Sequence, residues 1–340
     1  MQHLGPECGC RPIARRRQMG RGEFVLSSVG VVGAGLIGRA WAITFARAGK
    51  QVRLYDADPA ALETAGSWIR SALKDLGGYD LLNGQSEDAL FARIALGSDL
   101  PGTLDGVELV QENVPERLEV KLPVLAELDR LAAPDVILAS STSGLLPSAL
   151  SEPLAHRERL IVAHPLNPPY LVPAVELAPA PWTDPDIMER AARFYLSVGM
   201  APLRMHRELP GFIMNRLQGA LKHEAWRLVA GGYCSAADVD RAVAEGLGLR
   251  WSFMGPFETA ELNAPTGIRE YVERYGPLYR EIGLSQSEIV SWEGEVLDAV
   301  EESRRAELPA DAVEARREWR DRRLMGLAAH KREADQRWGR

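Results

Sequence analysis

A doubly wound α/β domain of the Rossmann type followed by an all-α domain is the fold class the sequence predicts, and three observations predict it. The first is Val29-Gly-Val-Val-Gly33-Ala-Gly35-Leu-Ile-Gly38, an apolar run that ends in Gly-x-Gly-x-x-Gly and flows into a helical pattern from Ala40 to Arg47. The second is the alternation of strand-like and helix-like segments over residues 25–207. The third is the change at Glu208-Leu-Pro-Gly211, after which the apolar spacing is helical and no convincing strand follows. Four regions result: a basic, disordered extension (1–24), the α/β domain (25–207), the helical domain (208–332) and a tail (333–340).

The elements follow in order. In the glycine motif the first Gly permits a tight turn, the second lets a pyrophosphate approach the backbone, and the third lets helix and strand pack closely. The amides of Leu36 and Ile37 then stand at a helix N-terminus, where free N–H groups and the dipole favour phosphate. Gln51–Tyr55 reads as a second strand ending in Asp56, about 20 residues after the turn, the spacing of a carboxylate that accepts both ribose hydroxyls. A 2′-phosphate would be repelled there, so the expected cofactor is NAD, held by Gly33, Gly35, Leu36, Ile37, Gly38 and Asp56. Asp58-Pro59 opens a helix to Leu76 as N-cap and first-turn proline. Val107–Gln111 reads as a strand and Pro115–Leu131 as a helix. Val136–Ala139 and Leu160–Ala163 are nearly pure apolar strands, as in a parallel sheet covered on both faces. Val172–Leu177 reads as an added, differently oriented strand, and Pro185–Val198 as a helix. Beyond the junction, Phe212–Val229, Ser235–Glu245, Ala260–Tyr275 and most of Ser285–Lys331 read as helices, with Trp319, Leu324 and Leu327 as a packing stripe.

Composition bounds the function. With 46% hydrophobic and 26% charged residues, the 340-residue chain has the make-up of a soluble globular protein with a sizeable core. A net charge of −7 leaves no basic footprint for nucleic acid. No apolar run reaches the roughly 18 residues a bilayer requires. Cys8, Cys10 and Cys234 are too few for a disulfide framework or a zinc site, so no metal and a cytoplasmic location are expected.

Two strand ends carry the polar residues. Val136–Ala139 runs into Ser140-Ser-Thr-Ser143, and Leu160–Ala163 into His164-Pro-Leu-Asn167. Both project from strand C-termini, on the edge of the phosphate turn. Glu176 stands inside the apolar Val175-Glu-Leu177, and a carboxylate there needs a partner because an unpaired buried charge is costly. His164 is the candidate. A neutral imidazole can take a hydroxyl proton while hydride leaves the same carbon, with the carboxylate fixing the tautomer. Ser143 can hydrogen-bond the substrate oxygen and hold the reacting carbon in place.

Together, Gly33-x-Gly35-x-x-Gly38, Ser140-Ser-Thr-Ser143, His164-Pro-Leu-Asn-Pro, Glu176 and Pro210-Gly-Phe-Ile-Met-Asn215-Arg resemble the 3-hydroxyacyl-CoA dehydrogenase superfamily over about residues 27–330. The stretches Ala163–Tyr170, Glu224–Val229, Gly246–Arg250 and Arg316–Asp321 resemble the branch that oxidises free hydroxy acids. The resemblance implies His164 as catalytic base, Glu176 as its partner, and Ser143 and Asn215 as substrate contacts. It implies Glu116 and Lys121 at the nicotinamide end of the cofactor, although by themselves they are charges in the first turns of a helix. It further implies NAD-dependent oxidation of a 3-hydroxyl, L-gulonate first, in a homodimer formed through the helical domain. Pro59–Trp68 offers Glu63 and no Lys or Arg for the phosphates of coenzyme A. Arg250 is the candidate cation for a substrate carboxylate, since a guanidinium binds one bidentately. L-carnitine, 3-hydroxyacyl-CoA and a non-catalytic NADH-binding role are the alternatives.

Overall fold

The structure, a computed structural model, describes residues 27–339, so the basic extension expected over 1–24 lies outside the described residues. Eight strands form one sheet: β1 (Ser28–Val32), β2 (Gln51–Tyr55), β3 (Ile94–Leu96), β4 (Val107–Glu112), β5 (Ile137–Ser140), β6 (Leu160–Pro165), β7 (Ala174–Pro179) and β8 (Ala201–Arg204). Their order is β3-β2-β1-β4-β5-β6-β7-β8. Strands β1 to β6 pair in parallel, β7 runs antiparallel to β6, and β8 is parallel to β7. The chain reverses its direction of travel between β1 and β4, which opens a crevice beyond their C-terminal ends.

The helices of this half are α1 (Leu36–Arg47), α2 (Pro59–Gly78), α3 (Glu87–Phe91), α4 (Leu100–Leu104), α5 (Leu118–Leu131), α6 (Pro147–Ser151) and α7 (Pro185–Ser197). Both faces of the sheet are buried. Val29, Val31, Leu109 and Ile161 pack with Trp41 and Phe45 of α1, whereas Val32, Val110, Leu138 and Val162 pack with Leu125 and Leu128 of α5. Asp58 caps α2 by accepting the Ala60 N–H, with Pro59 in its first turn.

The helical half comprises α8 (Met214–Ala230), α9 (Ala236–Ala242), α10 (Gly248–Trp251), α11 (Pro256–Leu262), α12 (Ile268–Ser285), α13 (Glu295–Glu307) and α14 (Val313–Trp338). A π-helical turn, Val243–Leu247, joins α9 to α10. No strand follows β8 among the described residues.

Four sequence expectations are corrected. The helix expected from Pro115 begins at Leu118, because the Glu116 carboxylate is drawn out to the loop after β5. The helix expected over 260–275 is broken where Pro265 and Gly267 (φ 91°) separate α11 from α12. In α14 the packing stripe is Met325 with Leu324, Ala328 and Ala329, while Trp319 and Leu327 are exposed. Arg316 lies 3.4 Å over the Trp319 ring, which satisfies that face without burial. The tail expected from 333 is helical as far as Trp338, since nothing breaks α14 before Gly339.

Candidate active site

The phosphate turn is shaped by its three glycines in different ways. Gly33 adopts φ +94°, and a Cβ on it would stand 2.8 Å from the Asn113 carbonyl. A Cβ on Gly38 would stand 1.8 Å from the Gly33 carbonyl oxygen, so strand and helix touch there with no room for a side chain. Gly35 has nothing within 4 Å of the same position. That open side, beside the uncapped start of α1 carrying Leu36 and Ile37, suits the approach of a pyrophosphate. Asp56 ends β2 next to the turn and accepts the Ala34 N–H at 2.7 Å and the Asp58 N–H at 3.0 Å. Its carboxylate is thereby fixed beside the turn, where a ribose would lie.

The loop after β5 is held from the side of β4. Glu116 accepts the Ser143 N–H at 2.8 Å, the Gly144 N–H at 3.0 Å and the Thr142 hydroxyl. Beneath it Lys121, 1% exposed, donates to Glu112 at 2.8 Å and to the Val114 carbonyl at 3.0 Å, and stands 3.6 Å from Glu116. Glu112 also accepts the Val114 N–H and the Ser140 hydroxyl. Lys121 is therefore no solvated charge on a helix face. It lies under the loop and bears on Ser143 through Glu116. The buried Glu112–Lys121 pair is surrounded by donors and acceptors, the condition under which such a pair is tolerated.

His164 and Glu176 are directly opposed residues of the antiparallel β6–β7 pair. The His164 Nδ1 lies 2.6 Å from Glu176 Oε2, with His164 4% and Glu176 0% exposed. The other carboxylate oxygen accepts the N–H groups of Ile213 at 2.6 Å and Met214 at 2.7 Å, at the start of α8. A carboxylate only accepts, so Nδ1 carries the hydrogen and Nε2 is left for a substrate proton. Phe212, fully buried and at φ +50°, places its ring 5.6 Å from the imidazole.

Asn215, in the first turn of α8, donates to the Ser143 carbonyl at 2.7 Å, so the helical domain also clasps the loop after β5. Ser143, Glu116, Lys121 and Asn215 thus form one connected group. His164 and Glu176 join it through the backbone of Ile213 and Met214. Arg250 stands apart: it is an exposed residue of α10 whose charge acts on Tyr271 of α12. Glu112 was not among the sequence candidates. The signal that could have found it is the one that found Glu176, a carboxylate in an apolar strand.

The chain matches two consecutive parts of one family, the 3-hydroxyacyl-CoA dehydrogenase NAD binding domain over residues 28–209 and the C-terminal domain over residues 211–290. Among similar proteins, the lambda-crystallin homolog of Bos taurus is 43% identical over 321 residues, 93% of this chain and 99% of that one. An L-carnitine dehydrogenase of Oceanobacillus iheyensis is 39% identical over 253 residues, 74% of this chain and 81% of that one. Among solved structures, 5-formyl-3-hydroxy-2-methylpyridine 4-carboxylic acid 5-dehydrogenase, an NAD+-dependent dismutase, superposes with a TM-score of 0.76. It is 26% identical and covers 89% of this chain and 97% of that one. The NAD-binding turn and the chain-long match lead to one conclusion: the chain belongs to the 3-hydroxyacyl-CoA dehydrogenase family.

Proposed function

We propose that the protein oxidises the 3-hydroxyl of a small free hydroxy acid with NAD, L-gulonate to 3-dehydro-L-gulonate first, using His164 as general base. The observation that carries this reading is the 2.6 Å His164–Glu176 contact, with Glu176 pinned from its other side by α8. Bound NAD supplies the hydride acceptor. His164 Nε2 takes the hydroxyl proton, and Glu176 stabilises the imidazolium that forms. The Ser143 hydroxyl holds the substrate oxygen, on a loop fixed by Glu116 and Asn215. Arg250, which stands apart from this group within one chain, is assigned the carboxylate as a bidentate partner. Lys121 supports the nicotinamide end through Glu116.

The free-acid reading is supported by likeness to the L-carnitine dehydrogenase and by the absence of Lys or Arg in Pro59–Trp68. The test is NADH formation by the purified protein with L-gulonate, L-carnitine, 3-hydroxybutyrate and 3-hydroxybutyryl-CoA. Turnover of gulonate is expected, with Arg250→Ala raising its KM about tenfold or more, as for loss of a charge-assisted pair. Preference for the thioester overturns the free-acid assignment, and an unchanged KM in that variant overturns the role of Arg250. Tight NADH binding with no turnover of any substrate favours the non-catalytic alternative.

The partner is a second copy of the chain, through the helical domain. Helices α9, α12 and α13 bury no residue within one chain, while Leu217, Phe253, Phe257, Val272, Leu278 and Ile282 are exposed. An apolar surface on this scale is characteristic of an interface. Sedimentation equilibrium should give twice the 37.4 kDa of one chain, and a monomer mass would refute the pairing. No helix of the described residues is long and apolar enough to cross a membrane.

A further inference from the structure

Beneath the phosphate turn runs a chain of side-chain hydrogen bonds that the proposed chemistry does not use. Its hub is the Ser141 hydroxyl, which accepts from Gln111 Nε2 at 2.8 Å and from Trp41 Nε1 at 3.0 Å. The same hydroxyl donates to Asn113 Oδ1 at 2.7 Å, so its one hydrogen and two lone pairs are all engaged. Gln111 Oε1 accepts the phenol hydrogen of Tyr195, a fully buried residue of α7.

Asn113 closes the chain on the cofactor side. Its Nδ2 donates to the Gln111 carbonyl at 2.8 Å and to the Val32 carbonyl at 3.3 Å, and its backbone N–H donates to Val32 at 2.7 Å. Val32 is the last residue before Gly33, and the Asn113 carbonyl is the group a Cβ on Gly33 would strike. Asn113 therefore lies at the β1–β4 crevice, directly against the phosphate turn. Ser141 lies at the other end of the link, two residues before Ser143, with its own N–H bound to the Glu112 carbonyl at 2.9 Å. Besides the backbone pairing of β1, β4 and β5, the Asn113–Ser141 side-chain bond joins the turn that suits a pyrophosphate to the strand end that carries Ser143.

We propose that Asn113 and Ser141 are positioning residues that set the separation between the phosphate turn and the Ser143 loop. With NAD bound, that separation would decide whether the carbon whose hydroxyl meets His164 comes within reach of the cofactor. The proposal rests on the hydroxyl-oxidation reading for its chemistry. Placement of this kind is costly to lose, because a displacement of about 1 Å between reacting groups can lower the rate about a hundredfold. Neither residue contacts the His164–Glu176 pair, so proton transfer is left intact.

The test is a double-mutant cycle on the full chain, with Asn113→Ala, Ser141→Ala and the double variant. Each single variant is expected to lower kcat roughly 30- to 100-fold. The dissociation constant for NADH should change by no more than about threefold. The double variant should lose little more than either single one, because the two act as one unit. A substrate deuterated at the reacting carbon should show a larger isotope effect on kcat in the variants, since hydride transfer becomes the slow step. Ser141→Cys, which keeps a weak donor and acceptor at similar volume, should recover part of kcat. The proposal is overturned if kcat is near that of the parent, if the two losses multiply, or if the NADH affinity falls by the same factor as kcat. If the parent protein turns over no hydroxy acid, the functional reading fails, and the fluorescence of bound NADH decides the positioning by itself. Reduced fluorescence enhancement at unchanged affinity supports it, and identical fluorescence in parent and variants overturns it.

Discussion

His164→Gln is expected to lower kcat for hydroxy-acid oxidation by about 100- to 10,000-fold, the range over which a positioned general base acts. The affinity for NADH should be retained, because the phosphate turn lies at β1 and α1 while His164 lies on β6. Glu176→Gln should approach the same loss by a different route. The amide would offer an N–H where Nδ1 now finds an acceptor, driving the hydrogen to Nε2 and removing the base. It would also weaken the attachment of Ile213 and Met214, which now bond to the carboxylate. Steady-state absorbance of NADH measures both variants, and full activity in either would refute the assigned roles.

Two alanines in the phosphate turn should separate stability from cofactor binding. Gly38→Ala places its methyl 1.8 Å from a backbone oxygen, so the contact of β1 with α1 must open. A lowered Tm is expected, with a loss of about 1–3 kcal/mol or more, as for overpacked cores, and NAD binding should fail with it. Gly35→Ala meets no protein atom within 4 Å, so Tm should hold. The methyl would nevertheless fill the space through which the pyrophosphate approaches, and the NAD dissociation constant should rise roughly tenfold or more. Calorimetry and titration on the same samples check the contrast. A Gly35→Ala protein that binds NAD normally would show that the pyrophosphate lies elsewhere.

Much of this arrangement is legible from residues alone. The strand, glycine turn, helix and Asp56 announce themselves because each is a local pattern with one physical use. His164 and Glu176 could be paired because a charge within an apolar strand demands compensation. Strands β3 and β8 carry no sustained apolar pattern to read: β3 is three residues with only Ile94 buried, and β8 buries none. The stripe of α14 is not legible in its own sequence, because its burial is set by where the helix crosses the α/β domain. Met325 and Gly326 meet that domain beside Tyr79, and Arg332 pairs with Asp80, contacts remote in sequence. Glu116 and Lys121 look like solvated charges in a helical stretch, and only the tertiary fold turns one to the Ser143 loop and buries the other against Glu112. Gln111, a buried polar amide after the apolar Leu109-Val110 of β4, raises the same question as Glu176.

The two oxygens of Glu176 face two different jobs, one toward the imidazole and one toward the amides that begin α8. The orientation of the imidazole and the seating of the helical domain are therefore mechanically linked. Swinging α8 away strips two donors from the carboxylate, which is then free to turn and no longer fixes the imidazole. By reciprocity, a change at the imidazole that draws the carboxylate aside loosens its hold on the start of α8. A turned imidazole and a released domain interface then become two readings of one event.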